Sequence, residues 1–284
     1  LAHPGRTHGD HSALWPAPDG HPLAGYVRHP GILPRPLATM PTRFDIGVCS
    51  SRGVGPRHGG RAANEDNFLI CADGRVRFRD GSAERERLAD GTGVLLAVAD
   101  GMGGHEHGGL ASGAAVQALA RLHARGRPRA PEQTLRTFVL KAHTRLRDLA
   151  RDRGAANMGT TLTCAWILED SVYWVHVGDS RLYLLRDGAL SLVTRDHTRR
   201  EFAARDGRPQ PPQPNALVQN FIFGSRGLGD DAMVRIDVGR DNGSFALRAG
   251  DRMLLASDGV FGPLTHDQLR GGLQSAVSAT AAAT

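Results

Sequence analysis

The residues of this chain that are best placed for a catalytic or metal-binding role are acidic side chains next to apolar, strand-like segments. Each of four aspartates adjoins such a segment, and three of the four also adjoin a glycine. The carboxylates are Glu65 and Asp66 before 68–70, Asp100 after 94–99, Asp179 after 175–178 and Asp258 after 253–257. A single Asp-Gly pair is typical of an ordinary turn. Because the pattern recurs at several strand ends, it predicts carboxylates that converge at one end of a sheet.

Converging carboxylates predict a cation site. Their mutual repulsion would raise their pKa values unless bound cations neutralised them. The set contains oxygen ligands alone, without His or Cys, which favours the hard ions Mg²⁺ and Mn²⁺. We therefore expect this chain to hold divalent cations.

The three cysteines indicate neither a disulfide framework nor a zinc site. Cys49, Cys71 and Cys164 lie far apart in apolar, strand-like stretches, with no CxxC pair and no His at metal-ligand spacing. We expect three small core residues in a reducing compartment. We also expect no cysteine nucleophile.

The bulk composition favours one catalytic domain. The chain has 284 residues, of which 40% are hydrophobic and 23% charged. Its formal charge of +6 could indicate a nucleic-acid partner. However, Arg, Gly, Ala and Pro are abundant throughout, and no segment combines a basic stripe with aromatic residues, so we expect no nucleic-acid partner.

Two features at the level of the whole chain bear on location and domain boundaries. No apolar run approaches the ~18 residues that span a bilayer, so we expect a soluble, cytoplasmic protein without a membrane partner. Residues 1–39 contain seven of the sixteen prolines and five of the thirteen histidines, without apolar periodicity. We expect 1–39 to be disordered or non-native and 40–284 to form the catalytic domain.

Apolar runs separated by turn residues predict strands, then two helices, then further strands. Segment 172–177 is apolar at both alternating sets of positions, as in a strand buried on both faces. Strand groups interrupted by one helical pair favour an α+β fold of antiparallel sheets with helices packed outside. The predicted strands are 44–50, 67–71, 75–79, 94–99, 160–168, 172–178, 182–187, 190–194, 234–238, 245–248 and 252–257, and the helices 110–124 and 132–152. Segment 206–215, with four prolines, is expected to be an exposed loop.

Six short motifs occur in the order seen in one family of enzymes. They are Arg61-Ala62-Ala63-Asn64-Glu65-Asp66, Ala99-Asp100-Gly101-Met102-Gly103-Gly104-His105, Gly159-Thr160-Thr161, Val177-Gly178-Asp179-Ser180-Arg181, Asp196-His197-Thr198 and Ala256-Ser257-Asp258-Gly259. From Phe44 onward the chain resembles the PPM (type 2C) protein phosphatases, most closely their bacterial branch. The resemblance implies a four-layer α-β-β-α sandwich with a metal site in a cleft between two antiparallel sheets.

The resemblance also implies a role for each residue of the metal site. Asp66 and Asp100 would bind two Mn²⁺ or Mg²⁺ ions, with Asp100 bridging both and the Gly101 carbonyl completing one coordination sphere. Asp258 would bind the other ion, and Glu65 would contact metal-bound water. Asp179 would support a third, weaker ion or orient water; alternatively it is a turn residue.

The activity implied by the resemblance is hydrolysis of phosphoserine and phosphothreonine in proteins by a water that bridges the two cations. Arg61 would grip the substrate phosphate, since a planar guanidinium suits bidentate contact. Alternatively, Arg61 is an ordinary solvated charge, and Arg57 is another arginine close to it in the sequence. The implied partners are phosphorylated proteins, the substrates of a serine/threonine kinase. The alternative function is a noncatalytic pseudophosphatase that binds phosphoproteins.

Two departures from the family pattern stand out. Many relatives carry a histidine directly after the first Asp-Gly, where this chain has Met102, and the nearby His105 and His107 are not assigned as a general acid. Relatives also continue past the Asp258 motif to a strand preceded by Asp-Asn. Its absence here leads to the expectation of a C-terminally truncated chain with a weakened metal site.

Overall fold

Tight turns with an aspartate and a glycine shape two hairpins of the fold. Asp73 and Gly74 have φ of 51° and 71°, and Asp187 and Gly188 have φ of 51° and 78°. Positive φ at both central residues is the geometry of the turn that matches the twist of antiparallel strands. Each Asp-Gly pair therefore joins two consecutive strands of a hairpin.

The structure is a computed structural model that describes residues 44–53, 57, 62–80, 83–103, 106–155, 157–205, 207, 209, 237–238 and 244–284. The strands are β1 Asn67–Ala72, β2 Arg75–Asp80, β3 Ala83–Leu88, β4 Val94–Ala99, β5 Gly101–Met102, β6 Gly159–Thr160, β7 Leu162–Leu168, β8 Ser171–Val177, β9 Arg181–Arg186, β10 Ala189–Leu192, β11 Asp237–Val238, β12 Phe245–Ala246 and β13 Arg252–Ala256. The helices are α1 Glu106–His123, α2 Pro131–Asp152, α3 Arg199–Arg205, α4 Asp258–Phe261, α5 His266–Ser275 and α6 Ala279–Ala283.

The strands form two principal sheets and one short two-stranded pair. The large sheet has the order β11-β8-β7-β4-β1-β2-β3, with β12 also paired to β8, and the smaller one has the order β10-β9-β13. Strands β5 and β6 pair separately. All the described strand pairs are antiparallel, which confirms the α+β prediction and argues against a parallel βαβ fold.

Alternation along β7 separates two apolar layers. Cys164 and Trp166 face the helices α1 and α2, whereas Ala165 and Ile167 face the smaller sheet and pack in a cluster that includes Met253 of β13. The outer face of the smaller sheet packs against Leu269 and Leu273 of α5. The layers are therefore helix, sheet, sheet and helix, in agreement with the predicted sandwich.

The spacing of apolar residues in the sequence predicted helix α2 correctly. Its buried face comprises Leu135, Phe138, Val139, Ala142, Leu146 and Ala150. This i, i+3, i+4 spacing gives the helix one apolar stripe, which packs on the large sheet. Within the described parts of the chain, no helix is both long enough and apolar enough to cross a membrane.

One predicted strand is absent from the structure, and one six-residue strand was not predicted. Segment 44–50 has no regular strand structure. It runs instead beside the start of α6, where the Ala279 amide donates a 2.6 Å hydrogen bond to Asp45 Oδ2. Conversely, β3 was not predicted, because its exposed side chains are mostly charged and pair across the hairpin, as in Arg77–Glu84, so it lacks an apolar pattern.

Other expectations need adjustment or lie outside the described residues. Cys71 and Cys164 are buried, but Cys49 is exposed, so the expectation of three core cysteines was wrong for Cys49. Its segment runs along the surface without a strand neighbour that could cover it. Most of the expected loop 206–215, the first part of strand 234–238 and the segment 1–39 lie outside the described residues.

Candidate metal centre

Strand register places Asp66 beside Asp100. In the antiparallel pair of β1 and β4, Asn67 lies opposite Ala99. Asp66 comes directly before Asn67, and Asp100 comes directly after Ala99. The two carboxylates therefore leave the large sheet at the same end.

The smaller sheet brings Asp179 and Asp258 together by the same rule. Arg181 of β9 lies opposite Ala256 of β13. Asp179 precedes this pair by two residues, and Asp258 follows it by two residues as the first residue of α4. Both carboxylates therefore leave the smaller sheet at one end.

A hydrogen bond between side chains ties the carboxylate ends of the two sheets to each other. The Ser257 hydroxyl donates to Asp66 Oδ2 at 2.6 Å. Ser257 follows β13 in the smaller sheet, and Asp66 precedes β1 in the large sheet. The four aspartates predicted from the sequence consequently gather at one edge of the sandwich.

The electrostatics of this edge are those of crowded carboxylates. Burial, followed by the charges of Asp66, Asp258 and Asp179, raises the pKa of Asp100 to about 8. Burial and the charges of Asp258 and Asp196 raise the pKa of Asp179 to about 6. Ionising Asp100 is therefore costly unless a positive charge arrives.

This donor set fits divalent cations. The carboxylates are near enough to raise the pKa of Asp100, and all are hard oxygen donors of the kind that Mg²⁺ and Mn²⁺ prefer. Within the described ranges, no three His, Cys, Asp or Glu side chains are grouped as a ready coordination shell. The two observations are compatible, because Coulombic repulsion acts over distances longer than the ~2.0–2.1 Å of a Mg²⁺–oxygen bond. Carboxylates without a counter-ion repel one another, and a cation would draw them in.

Glu65 and Gly101 lie where helix α1 begins. Glu65 is buried, with 5% of its surface exposed, and its backbone carbonyl accepts a 2.6 Å hydrogen bond from the Ser112 hydroxyl of α1. A Cβ at Gly101 would lie 2.3 Å from the Gly108 carbonyl oxygen and 2.6 Å from that of Glu65. Glycine at this position is therefore required by the close approach of the Gly108 and Glu65 backbones.

Thr160, at the end of β6, and Thr161, just before β7, hold the backbone of Asp100. Its amide donates to Thr161 Oγ1 at 2.9 Å, and its carbonyl accepts from the Thr161 amide at 2.9 Å. The Thr160 hydroxyl also donates to this carbonyl at 3.0 Å. Asp100 thus has a fixed backbone even where repulsion acts on its side chain.

A buried polar network connects this support to Asp179. Thr161 Oγ1 lies 2.7 Å from Ser180 Oγ, next to Asp179 in sequence. The Thr163 hydroxyl donates to the Ser180 carbonyl at 2.9 Å and lies 2.8 Å from Nδ1 of His176. The network fixes the relative positions of Asp100 and Asp179.

Arg181 packs against the helix that carries Asp258. Its guanidinium forms a bidentate pair with Asp196, with Nε–Oδ1 and Nη2–Oδ2 distances of 2.9 and 2.7 Å. The Arg181 Cζ also lies 3.9 Å from the ring centroid of Phe261 in α4. The cation–π contact therefore holds α4 against the sheet, and the ion pair with Asp196 fixes the position of the Arg181 guanidinium.

The sequence motifs contained these supporting residues but assigned them no role. Thr161, Ser180, Arg181, Asp196 and Ser257 all fall within the six quoted motifs. Their presence next to the acidic residues was the available signal. Their hydrogen-bond partners come from other strands, and only the register reveals them.

The structure assigns no role in the site to the other residues that the sequence singled out. Arg61 and His105 lie outside the described residues, while Met102 pairs with Gly159 between β5 and β6. His107 is half-buried in the first turn of α1.

Cys71 precedes Arg77 by the six positions found in the phosphate loop of cysteine phosphatases. The structure places the two residues on paired strands of a hairpin instead of a loop. The Cys71 thiol is buried, and burial raises its pKa to about 12, so it is not a nucleophile.

Fold and site together define a class of protein. Residues 73–282 match the model of the protein phosphatase 2C family. The chain therefore belongs to the protein phosphatase 2C family, and the resemblance drawn from its motifs is confirmed.

Among its relatives are bacterial phosphatases. Over 188 residues, 63% of this chain and 34% of the relative, it is 32% identical to the serine/threonine protein phosphatase PstP of Mycobacterium tuberculosis. The chain thus spans about a third of the length of that relative. Over 181 residues, 62% of this chain and 71% of the relative, it is 30% identical to the protein phosphatase PhpP of Streptococcus pneumoniae.

A solved structure shows the same fold. The catalytic domain of the serine/threonine protein phosphatase PstP in complex with two manganese ions is 29% identical to this chain, with a TM-score of 0.61 over 83% of this chain and 86% of that one.

Proposed function

We propose that this chain hydrolyses phosphoserine and phosphothreonine in proteins, with two Mn²⁺ or Mg²⁺ ions held at the edge where the two sheets meet. The proposal rests on four aspartates that come together at that edge from both sheets: Asp66, Asp100, Asp179 and Asp258. The first and the last two of these raise the pKa of Asp100. Membership of the protein phosphatase 2C family and the manganese-bound PstP structure support it.

The proposed ligand roles follow the positions of the carboxylates. Asp100 serves both ions, since the other three aspartates act on it. Asp66 binds beside it from β1, and Asp258 binds from the start of α4. The Gly101 carbonyl completes one coordination sphere, and Glu65 holds water at the site. Asp179 serves a third, weaker ion.

Two bound cations would lower the pKa of a water from 15.7 towards ~7 and neutralise charge on the phosphoryl oxygens. The residues of this chain supply the rest of the chemistry. Thr160 and Thr161 keep the Asp100 backbone in place, and Ser257 orients the Asp66 carboxylate. No protein nucleophile is needed.

Arg61 is proposed to bind the substrate phosphate through two parallel N–H donors. The proposal comes from its place in the first motif, five residues before Asp66. The proposed partners are accordingly phosphorylated proteins, the products of a serine/threonine kinase.

The test is hydrolysis of a phosphothreonine peptide by the protein with Mn²⁺ and with a chelator in its place. We expect phosphate release with Mn²⁺ and its loss with the chelator. Binding of the peptide without turnover, at any Mn²⁺ or Mg²⁺ concentration, would instead favour the noncatalytic phosphoprotein-binding module.

A further inference from the structure

A groove of about 550 Å³ lies between the C-terminal half of α1 and the N-terminal half of α2. Apolar side chains, among them Leu122 and Phe138, form part of its lining. Four basic side chains also line it: Arg121, Arg125, Lys141 and Arg145. The groove therefore combines an apolar surface with a cationic border.

The four basic side chains of the groove are available to bind a partner. All four residues are exposed, and in the described part of the chain none of them forms an ion pair or a side-chain hydrogen bond. Two arginines near the same helices, Arg127 and Arg151, are instead paired with Glu169 and Asp148, at 2.7 and 3.2 Å. No acidic residue lines the groove to offset its charge.

The positive charge of the groove results from the positions of the four basic residues on the two helices. Lys141 and Arg145 are four residues apart, so they lie one turn apart on the same face of α2. Arg121 and Arg125 lie at the end of α1 and just beyond it. Like charges concentrated around one concavity produce a local positive potential that an anionic ligand would relieve.

We propose that this groove, lined by Arg121, Arg125, Lys141 and Arg145, docks an acidic segment of a partner protein that carries an apolar side chain. The apolar side chain packs mainly on Leu122, with the small exposed part of Phe138 beside it, and flanking Asp or Glu residues pair with the basic border. Its volume of about 550 Å³ falls within the about 300–1,000 Å³ that is typical of ligand pockets.

A polypeptide fits better than the other polyanions. Sites for single-stranded nucleic acid commonly combine a basic groove with exposed aromatic rings on which bases stack, whereas Phe138, the aromatic residue of this groove, is only 8% exposed. An anionic membrane requires apolar side chains that protrude, whereas Leu122 and Phe138 are recessed between charged neighbours.

The groove is separate from the metal centre. Gly108 contacts the Glu65 region, and Leu122 lies fourteen residues further along α1. At 1.5 Å per residue, this is roughly 20 Å along the helix. Docking can therefore be measured independently of phosphate hydrolysis, and the inference does not rest on the proposed activity.

The experiment measures fluorescence anisotropy of a short labelled peptide in which glutamates flank leucines. We expect the wild-type protein to bind it, with affinity that falls as salt is raised, and not to bind the same peptide with lysines in place of glutamates. The double variant Lys141→Glu, Arg145→Glu should bind the glutamate peptide at least about tenfold more weakly and should gain binding of the lysine peptide.

The matched control is Arg136→Glu, Arg147→Glu, which changes the charge equally on the opposite face of α2 and should leave binding within about twofold. Equal losses in the two variants would overturn the proposal, since they would show a nonspecific charge effect. Tighter binding of duplex DNA or of anionic vesicles than of the glutamate peptide would also overturn it, because a polypeptide would not be the preferred occupant.

Discussion

The Ser257 hydroxyl donates a 2.6 Å hydrogen bond to the carboxylate of Asp66, although the two residues are 191 positions apart in the sequence. Ser257 is also the N-cap residue of α4, yet its side chain makes no capping hydrogen bond there. Its hydroxyl serves the carboxylate of the other sheet instead. This contact joins two of the proposed metal ligands, because Asp258 is the next residue.

Replacement of Ser257 tests this connection. Ser257→Ala should weaken Mn²⁺ binding about tenfold, because a hydrogen bond to a charged group contributes roughly 1.5–3 kcal/mol, part of which orients Asp66. The measurement is calorimetric titration with Mn²⁺, together with activity against Mn²⁺ concentration. Ser257→Thr keeps the hydroxyl and should bind Mn²⁺ nearly as wild type. Equal Mn²⁺ affinity in wild type and Ser257→Ala would show that this hydrogen bond does not position the ligand.

Thr161 is expected to act as a positioning residue for Asp100. Thr161→Val removes the acceptor of the Asp100 amide at 2.9 Å and the contact to Ser180 at 2.7 Å. We expect a loss of roughly 1–3 kcal/mol in the free energy of unfolding and weaker Mn²⁺ binding. Denaturant unfolding and Mn²⁺ titration measure the two effects. Thr161→Ser should restore Mn²⁺ affinity, and failure of that rescue would assign the effect to packing of the lost methyl group.

Arg61 should bind phosphate and not metal. We expect Arg61→Ala to raise KM for a phosphothreonine peptide roughly ten- to hundredfold, since a charge-assisted contact is worth on the order of 1.5–3 kcal/mol. Mn²⁺ affinity should change little. Arg57→Ala, at an exposed position, is the matched control. The assignment would move to Arg57 if that variant, and not Arg61→Ala, lost substrate affinity.

The ion pair between Arg186 and Asp251 should make stability depend on acidity. Its distances are 2.9 Å for Nε–Oδ1 and 2.6 Å for Nη2–Oδ2, and the Asp251 side chain is 4% exposed. The hydrogen bonds from Arg186 lower the pKa of Asp251. A lowered pKa gives stability that is present above the ordinary value of about 4 and is lost as pH falls through the folded-state pKa.

The test of this pair compares wild type with Asp251→Asn. At neutral pH the variant should be about 1 kcal/mol less stable. The difference should shrink as pH falls below about 4, since Asp251 then protonates in the wild type as well. Denaturant unfolding over this pH range measures the difference. A gap that stayed constant as pH fell would mean that Asp251 does not contribute through its charge.

The acidic residues of the candidate site could be selected from the sequence because their positions at strand ends are local features. Asp66, Asp100, Asp179 and Asp258 were all identified from their neighbours in the chain. The contacts of Thr161 and Ser257 could not be predicted in this way. They depend on the register of β4 with β7 and on the approach of one sheet to the other, which are long-range properties.

The errors in the fold have similar physical causes. Segment 44–50 has the alternation of a strand, but alternation alone does not provide a neighbouring strand, and the residues run beside α6. Strand β3 was missed because cross-strand charge pairs stabilise it, so no apolar period marks it. Helix α2 was predicted well because its burial follows directly from its own period.

The most direct test of the account is phosphate release from a phosphothreonine peptide, measured against Mn²⁺ concentration for wild type and Asp100→Asn. The variant should fold, because Asn keeps the shape of the carboxyl and adds no charge to a repelling cluster, and thermal unfolding verifies this. Wild type should release phosphate in a Mn²⁺-dependent manner, and Asp100→Asn should lose most of this activity and bind Mn²⁺ weakly, since the carboxylate is proposed to serve both ions. Near-normal turnover and Mn²⁺ affinity in a folded Asp100→Asn would contradict the account.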